Sequence, residues 1–255
     1  MSSDITNRGI APDAWYSLRA YTAARIALGK TGVAIPLHET LQFRLAHAYA
    51  RDAVYSVLKK DELLSSLSAF HLPVFLIHSM ANNRNEYLQR PDLGRRLNDD
   101  SVKKLGNFHS NGFDVCIVVA DGLSATAINE HAIPVLQQLI PLLQKAKFNV
   151  APLCLAEEGR VAIADEIGFL LSAKISVILI GERPGLSSPD SMGAYLTYHP
   201  LVGLTDEKRN CISNIRPEGL IFSLAAEKIF HLLKESLRLK ISGVALKDYT
   251  AVRLK

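Results

Sequence analysis

The sequence has 255 residues, of which 48% are hydrophobic, with 29 Lys and Arg against 25 Asp and Glu and a formal net charge of +4. A chain of this length and composition buries a sizeable core, as one large domain or two small ones. The net charge is small and the charged residues are scattered along the chain, which argues against nucleic-acid binding.

Membrane and secretion signals are absent from the sequence. No apolar stretch reaches the roughly 20 residues that cross a bilayer, and residues 1–11 lack the apolar core of a signal peptide. The three cysteines lie far apart, without the paired spacing of a metal site or a redox dithiol. These features predict a soluble cytoplasmic protein with reduced thiols, no structural or catalytic metal, and no membrane partner.

The first hundred residues are predicted to be mainly helical. Apolar residues recur on one helical face over residues 14–28, and a longer amphipathic helix is expected over residues 37–58. Residues 74–77 form a short apolar run that suits either a strand or an extended link. The pair Pro91-Asp92 favours the start of another helix, since proline fits the first turn and an acidic residue complements the helix dipole.

From residue 114 onward the pattern changes to alternating strands and helices. Three continuous apolar runs are typical of strands covered on both faces: residues 115–120, 150–155 and 175–180. The middle run is the weakest of these because it contains Pro152. Residues 124–147 and 161–174 have helical spacing and enough length for crossovers, so the order predicts a parallel sheet with right-handed connections.

We therefore predict an α/β fold with a Rossmann-like parallel sheet flanked by helices, preceded by a mainly helical N-terminal region. The boundary is expected near residue 105, giving a helical region at 1–105 and an α/β domain at 106–255. Residues 181–217 are expected to be a long irregular segment, and residues 220–239 a closing amphipathic helix.

The candidate site follows from the sheet, because ligands of open parallel sheets bind beyond the carboxyl ends of the strands. The loops there are 121–124 (DGLS), 157–161 (EEGRV) and 181–189 (GERPGLSSP). Glu182 would stand at the mouth of the site, where its carboxylate accepts hydrogen bonds from a ligand or pairs with a nearby arginine. The loop 121–124 suits either a tight turn with a serine helix cap or a ligand role.

The remaining reactive residues give no catalytic arrangement. Ser124 lacks the Gly-x-Ser-x-Gly elbow of hydrolases, and the loop lacks the glycine spacing of a dinucleotide site. Cys116 and Cys154 lie in apolar runs and are expected in the core, whereas Cys211 is expected in a polar loop without a base beside it. Asp165 and Glu166 are interpreted as a solvated helix face. We predict a binding domain with no catalytic residue of its own.

These same loops resemble the small subunit of ethanolamine ammonia-lyase. The strongest signatures are residues 181–186 (GERPGL) and 211–215 (CISNI). Residues 121–124 (DGLS), 159–161 (GRV) and 87–97 (YLQRPDLGRRL) agree with the family as well. The resemblance extends from about residue 15 to residue 243.

The resemblance implies a hetero-oligomer that converts ethanolamine to acetaldehyde and ammonia with adenosylcobalamin as cofactor. Homolysis of the cobalt–carbon bond belongs to the cofactor and is housed mainly in the large subunit, so the isolated small subunit is expected to be inactive. Val161, Glu182 and Cys211 are the cofactor-binding positions that the resemblance implies, each taken from its own matching motif. The N-terminal region and residues 90–97 are expected to contact the large subunit.

The resemblance also bears on where the protein is located, and two other functions compete with it. Some family members carry a longer polar N-terminal extension that targets a bacterial microcompartment, so the resemblance adds location inside a microcompartment as an alternative to the free cytoplasm, although here the predicted helical core begins by about residue 12. A free-standing Rossmann-like nucleotide-binding or regulatory protein is one alternative, and a hydrolase using Ser124 is another. The missing glycine fingerprint and the missing elbow argue against them.

Overall fold

The structure is a computed structural model that describes residues 13–108 and 112–247. Its strands are β1 (Val74–His78), β2 (Phe113–Ala120), β3 (Leu153–Glu157), β4 (Ala173–Gly181), β5 (Met192–Tyr198) and β6 (Arg209–Ile215). Its α-helices are α1 (Leu37–Val54), α2 (Lys60–Ser68), α3 (Arg84–Gln89), α4 (Asp99–Gly106), α5 (Ala125–Lys145), α6 (Ile163–Leu170) and α7 (Phe222–Leu239). Short 3-10 helices occupy Tyr16–Tyr21, Leu93–Arg95, Asp206–Lys208 and Gly243–Ala245.

The six strands form one sheet in the order β1-β3-β2-β4-β5-β6. Strands β1, β3, β2 and β4 are parallel, while β5 and β6 run antiparallel to their neighbours. The three predicted buried strands and their order along the chain are confirmed. The middle one begins at Leu153 rather than at residue 150, directly after Pro152, which has no N–H to give to a strand ladder.

The sheet takes its edge strand β1 from the first hundred residues. The short apolar run at 74–77 is therefore a strand, paired with β3 from Val74↔Leu153 to His78↔Glu157. The sheet thus joins residues from both of the regions predicted from the sequence. Among the described helices, none combines the length and apolarity that a bilayer span requires.

The predicted irregular segment at 181–217 is wrong, because β5 and β6 lie within it. Strand β6 is at the sheet edge, and its central residues Cys211, Ser213 and Asn214 are exposed. An edge strand with solvated side chains carries no continuous apolar run, so it gives a weaker signal in the sequence than a strand covered on both faces.

Helices cover both faces of the sheet and give two apolar clusters. Alternate residues of β2 point to opposite faces, so Ile117 and Val119 belong to the cluster under α5 and α7, whereas Cys116 and Val118 belong to the cluster under α6. Cys116 and Cys154 are fully buried, as predicted. The carboxyl ends of the central strands are left uncovered by this arrangement.

The predicted helix over residues 14–28 is wrong. Only Tyr16–Tyr21 is helical, as a 3-10 helix, and residues 25–29 are irregular, with φ +50° at Ala27 and +73° at Gly29, before the turn at 31–34. Trp15 and Tyr21 are exposed, so the residues that the structure describes leave this apolar face uncovered. Short helices draw their stability mainly from such packing. The next predicted helix is confirmed as α1, which ends at Val54.

The helix predicted to start at Pro91-Asp92 is also wrong. The segment makes one 3-10 turn, Leu93–Arg95, and then extends at Arg96, with φ −127° and ψ 148°. The Glu166 carboxylate accepts hydrogen bonds from the Arg96 guanidinium and from the Leu97 backbone N–H at 2.8 Å, which holds the chain in the extended form.

Candidate functional site

A cleft of about 430 Å³ opens at the carboxyl ends of the central parallel strands. Its walls come from the three loops that follow β2, β3 and β4, together with Tyr87 of α3 and Tyr195 of β5. This is the place where open α/β sheets bind ligands. The structure therefore confirms that the three loops predicted from the sequence meet at one edge of the sheet.

The loops after β2 and β4 touch through their backbones. Gly122 has φ +58°, and a Cβ on it would lie 2.2 Å from the carbonyl oxygen of Gly181. That carbonyl accepts a hydrogen bond from the Leu123 backbone N–H at 2.9 Å. Ser124 caps α5 by accepting from the Ala127 N–H, and its hydroxyl donates to a backbone carbonyl at 2.9 Å. The tight turn and serine cap are thus confirmed.

Glu182 stands directly after β4 and lines the cleft. Its Oε2 accepts hydrogen bonds from the Ser191 hydroxyl at 2.5 Å and from the Asn214 backbone N–H at 3.2 Å. Gly193 leaves room for this side chain, because a Cβ there would lie 2.9 Å from Oε1. Within residues 13–108 and 112–247, Glu182 forms no ion pair and Oε1 accepts no hydrogen bond.

The other two predicted cofactor positions lie differently with respect to the cleft. Val161 lines it beside Arg160. Cys211 lies on β6 rather than in a loop, so that part of the prediction is wrong; it faces Tyr195, which is its partner across the β5–β6 ladder. Although the residue as a whole is exposed, partial burial of the Cys211 thiol raises its pKa by more than a hydrogen bond from Tyr195 lowers it. The thiol is therefore kept protonated rather than activated as a nucleophile.

A buried ionic cluster beneath the cleft was not predicted from the sequence. Asp121 accepts hydrogen bonds from the backbone N–H groups of Gly122, Glu158 and Gly159 at 2.9 to 3.1 Å. Burial and the neighbouring Glu158 carboxylate raise the pKa of Asp121 to about 7. Arg84 donates to Glu158 at 3.1 Å and to the Gly122 carbonyl at 2.8 Å, so it ties the first two loops together.

A stacked pair of side chains forms another wall of the cleft. Tyr87 is fully buried and its hydroxyl donates to the Gly159 carbonyl at 3.1 Å. The Arg160 guanidinium lies over the Tyr87 ring, 4.2 Å from its centroid. A Cβ on Gly94 would lie 2.8 Å from Cγ of Arg160, so the glycine admits this arginine. The sequence signal for the pair was the motif at residues 87–97, which carries Tyr87 and Gly94.

The predicted solvated helix face at Asp165 and Glu166 is wrong, because both carboxylates are buried. Asp165 pairs with the buried Arg209, and Glu166 forms a two-pronged ion pair with Arg96 at 2.9 and 3.1 Å. These pairs anchor the chain before α4 and the start of β6 to α6. The Arg96 guanidinium is therefore paired within the chain although its side chain is 51% exposed, and Arg95 is exposed as well.

The described residues present a ligand site without a nucleophile and base beside one another. Ser124 donates its hydroxyl proton to a backbone carbonyl, Cys211 is protonated, and the cleft lining contains no histidine. The class that this fold and site define is an α/β ligand-binding chain whose cleft offers a carboxylate, two guanidinium groups, aromatic rings and apolar side chains.

Comparison with known proteins identifies the family. The sequence profile of the ethanolamine ammonia-lyase light chain (EutC) matches residues 12–247. The chain is 50% identical over 242 residues to an ethanolamine ammonia-lyase small subunit of Pseudomonas fluorescens, covering 94% of this chain and 88% of that one. For the small subunit of Azotobacter vinelandii the identity is 52% over 241 residues, covering 93% and 89%. For that of Ralstonia nicotianae it is 49% over 254 residues, covering 98% and 94%.

The chain therefore belongs to the ethanolamine ammonia-lyase light chain family. The resemblance stated from the loop motifs is confirmed, and the chain is classed with the subunits of a lyase. The comparisons give no support to a free-standing nucleotide-binding or regulatory protein.

Proposed function

We propose that this chain is the small subunit of an adenosylcobalamin-dependent ethanolamine ammonia-lyase, which helps a large catalytic subunit to hold the cofactor while ethanolamine is converted to acetaldehyde and ammonia. The observation that carries the proposal is the cleft at the carboxyl ends of β2, β3 and β4, which brings Val161 and Glu182 together without any nucleophile and base. Family membership supplies the reaction.

The chemistry of the cleft fits a corrinoid. The rim of a corrin carries amide groups and apolar edges, and the cleft offers the unused Oε1 of Glu182 as an acceptor beside the apolar Val161 and Leu123. Arg160 lines the cleft with unused N–H donors, since its one side-chain hydrogen bond within the described chain runs from Nη2 to the Tyr87 carbonyl. A cleft of about 430 Å³ encloses only part of so large a molecule, so a second protein has to supply the rest of the site.

The division of labour follows from these groups. The bound cofactor supplies radical chemistry through cleavage of its cobalt–carbon bond. Glu182 accepts hydrogen bonds from amide N–H groups of the rim, and Val161 packs against an apolar edge. Cys211 contributes through Tyr195, because it is the cross-strand partner of that tyrosine and Tyr195 lines the cleft. The chain thus orients one side of the cofactor and leaves the reacting groups of the substrate to the large subunit.

The surface that we propose for the large subunit is the exposed apolar stripe of α1. Its members recur every four residues on one side of the helix and are 46 to 72% exposed: Leu37, Leu41, Leu45 and Tyr49. Most of the other exposed large hydrophobic side chains also come from residues 15–57. A helix that turns its apolar side to solvent is typical of one that is covered in an assembly.

We also propose the finer organisation that the sequence predicts. Residues 106–255 would form a Rossmann-like cobalamin-binding domain, and residues 1–105 the region of subunit association. The parallel strands β2, β3 and β4 with a cleft at their carboxyl ends support the first part, although β1 and Tyr87, both from residues 1–105, also belong to the sheet and to the cleft. Cytoplasmic location is supported by the three free cysteines, and location inside a microcompartment stays a prediction.

The test of the cofactor role is Glu182→Gln in the complex of the full chain with a family large subunit. The substitution keeps the size and one acceptor but removes the charge, so we expect the Kd for adenosylcobalamin to rise roughly tenfold to a hundredfold, the loss of a charge-assisted hydrogen bond of about 1.5 to 3 kcal/mol. Kd is measured by equilibrium dialysis, and thermal melting checks the fold.

The matched control is Glu227→Gln, which removes an exposed carboxylate on α7, outside the cleft. Its Kd should equal that of the unmodified complex. An unchanged Kd for Glu182→Gln would assign this carboxylate to holding Ser191 and Asn214 only. A complex of unmodified subunits that binds no adenosylcobalamin would overturn the proposed function itself.

A further inference from the structure

Arg160 presents a guanidinium charge to the cleft that no carboxylate of the described chain neutralises. Arg84 and Arg96, near this end of the sheet, are paired, with Glu158 and Asp121 and with Glu166 respectively, whereas Arg183, which lines the cleft, has no ion pair among the described residues. Arg160 lines the cleft but has no ion-pair partner among residues 13–108 and 112–247. An unpaired charge that is half removed from water is costly unless a ligand or partner compensates it.

The hydrogen bonds of Arg160 also indicate that a ligand or a partner completes its contacts. A guanidinium has five N–H donors, and here a single side-chain bond is made, from Nη2 to the carbonyl oxygen of Tyr87 at 3.2 Å. Nε is buried and has no acceptor in the described chain. Such unused donors in a fixed fork match the oxygen atoms of a phosphate group or a carboxylate.

The position of Arg160 is built into the fold. The guanidinium rests on the buried Tyr87 ring, and the Tyr87 hydroxyl is held by Gly159. The Arg160 backbone N–H donates to the Gly94 carbonyl at 2.7 Å, and the lack of a side chain on Gly94 makes room for Cγ of Arg160. Because the side chain is already ordered, little entropy is lost when it binds an anion.

We propose that Arg160 binds the phosphodiester of the cofactor's nucleotide loop, an inference that rests on the proposed cofactor. The groups on the rim of a cobalamin are amides, which offer hydrogen bonds without charge, whereas the phosphodiester carries a negative charge. The two guanidinium groups of the cleft, Arg160 and Arg183, outnumber its one carboxylate, Glu182. The cleft therefore has an excess positive charge, and of the two arginines Arg160 is the one whose guanidinium is held in a fixed position, by the Tyr87 ring and the Tyr87 carbonyl.

The experiment compares two ligands in the complex of the full chain with a family large subunit. Adenosylcobalamin contains the phosphodiester, and adenosylcobinamide lacks it together with the nucleotide loop. Kd values are measured by equilibrium dialysis with cobalt determination, so no turnover is required. For Arg160→Gln we expect the Kd for adenosylcobalamin to rise roughly tenfold to a hundredfold and the Kd for adenosylcobinamide to stay within about twofold.

Two further variants make the comparison specific. Arg238→Gln removes an exposed guanidinium on α7 and should change neither Kd. Arg160→Lys keeps the positive charge but loses the planar set of N–H donors, so it should retain part of the preference for adenosylcobalamin. This variant serves as the test if Arg160→Gln lowers the melting temperature of the complex.

The outcomes separate this inference from the proposed function. Equal losses for the two ligands would overturn it, since Arg160 would then contact a group common to both or merely shape the cleft. Unchanged Kd values for both ligands would overturn it as well. Absence of any binding by the unmodified complex would refute the proposed cofactor and this inference together, whereas a loss confined to adenosylcobalamin supports both.

Discussion

Gly122 is the residue at which the geometry of the cleft depends most directly on the lack of a side chain. Its backbone has φ +58°, and a Cβ would lie 2.2 Å from the Gly181 carbonyl oxygen. Gly122→Ala should therefore lower the free energy of unfolding by about 3 kcal/mol, through backbone strain together with a contact that the two loops cannot relieve without moving apart. Urea unfolding of the isolated chain measures the loss.

A matched glycine separates the two causes. Gly32 has a similar φ of +63°, but a Cβ there would meet nothing within 4 Å. Gly32→Ala should cost about 1 kcal/mol, the strain alone. Equal losses at the two positions would show that the loops after β2 and β4 tolerate a wider spacing than the structure indicates.

Asp121 makes the stability of the chain depend on pH. Because burial and Glu158 raise its pKa to about 7, the folded protein keeps this proton at pH values where the unfolded chain, with a pKa near 3.8, has released it. The unfolded state is thus favoured increasingly as the pH rises from about 4 to about 7. The quantity to follow is the difference in the free energy of unfolding between the unmodified protein and the Asp121→Asn variant. We expect this difference to fall between about pH 4 and pH 7 and to level off at higher pH.

Urea unfolding of both proteins at pH 5, 6, 7 and 8 tests this dependence. Asp52→Asn, at an exposed carboxylate on α1, serves as the matched substitution. A difference that grows with pH would mean that Arg84 and the three backbone N–H donors outweigh burial in setting the ionisation of Asp121.

At the scale of elements, α1 is a helix whose apolar side is left uncovered by residues 13–108 and 112–247. Leu41 and Leu45 are 53% and 46% exposed, and only Ala46 and Ala53 of the helix are buried. Leu41→Gln with Leu45→Gln should weaken binding of the large subunit roughly tenfold to a hundredfold, since two half-exposed leucines lose the burial that the interface would give them. Affinity is measured by surface-immobilised titration.

The control for α1 is the pair Leu224→Gln and Leu239→Gln on α7, whose leucines are 42% and 43% exposed. Both double variants should melt close to the unmodified chain, because exposed positions contribute little to its stability. Full assembly by the α1 variant would assign the stripe to some other contact.

The elements that the sequence predicted well are those with a covering on both faces. The continuous apolar runs at 115–120 and 175–180 predicted β2 and β4, because every side chain of these runs is buried. The predicted strand ends in turn placed Glu182 and Val161 at the cleft. Strand β6 was missed because its conformation depends on pairing with β5 rather than on an apolar run of its own. The segment at 14–28 was wrongly predicted to be a helix because its apolar side chains do not pack against the described residues.

The rest of the site lay beyond local patterns. Arg84 and Tyr87 are three residues apart on α3, whereas Arg160 comes from the loop after β3, far away in the chain. No spacing rule relates Arg160 to the other two, since their contact exists only after the sheet has formed. The same holds for Asp165 and Arg209, which are joined across α6 and β6. Buried ion pairs of this kind look like ordinary surface charges in a sequence.

At the scale of the whole molecule, the cleft is the open side of an otherwise well-packed sheet. Its floor is tied by the Arg84 cluster and its walls by the Tyr87–Arg160 stack, so the binding groups are held in place before any ligand arrives. Its volume is nevertheless small for a corrinoid, and the described residues contain no catalytic pair. The molecule is thus organised as one half of a site.

The last prediction follows from that organisation: the purified chain alone should show no ethanolamine ammonia-lyase activity, even with adenosylcobalamin in excess. A radical reaction needs the cofactor enclosed and the substrate positioned beside it, and in the part of the chain that the structure describes the proposed cofactor site is an open cleft that covers only one side of such a molecule. The measurement is acetaldehyde formation from ethanolamine, first with the chain alone and then after addition of a family large subunit. Addition should restore turnover. Activity well above background without the large subunit would show that the chain holds a complete site, and the division of labour proposed for the two subunits would be wrong.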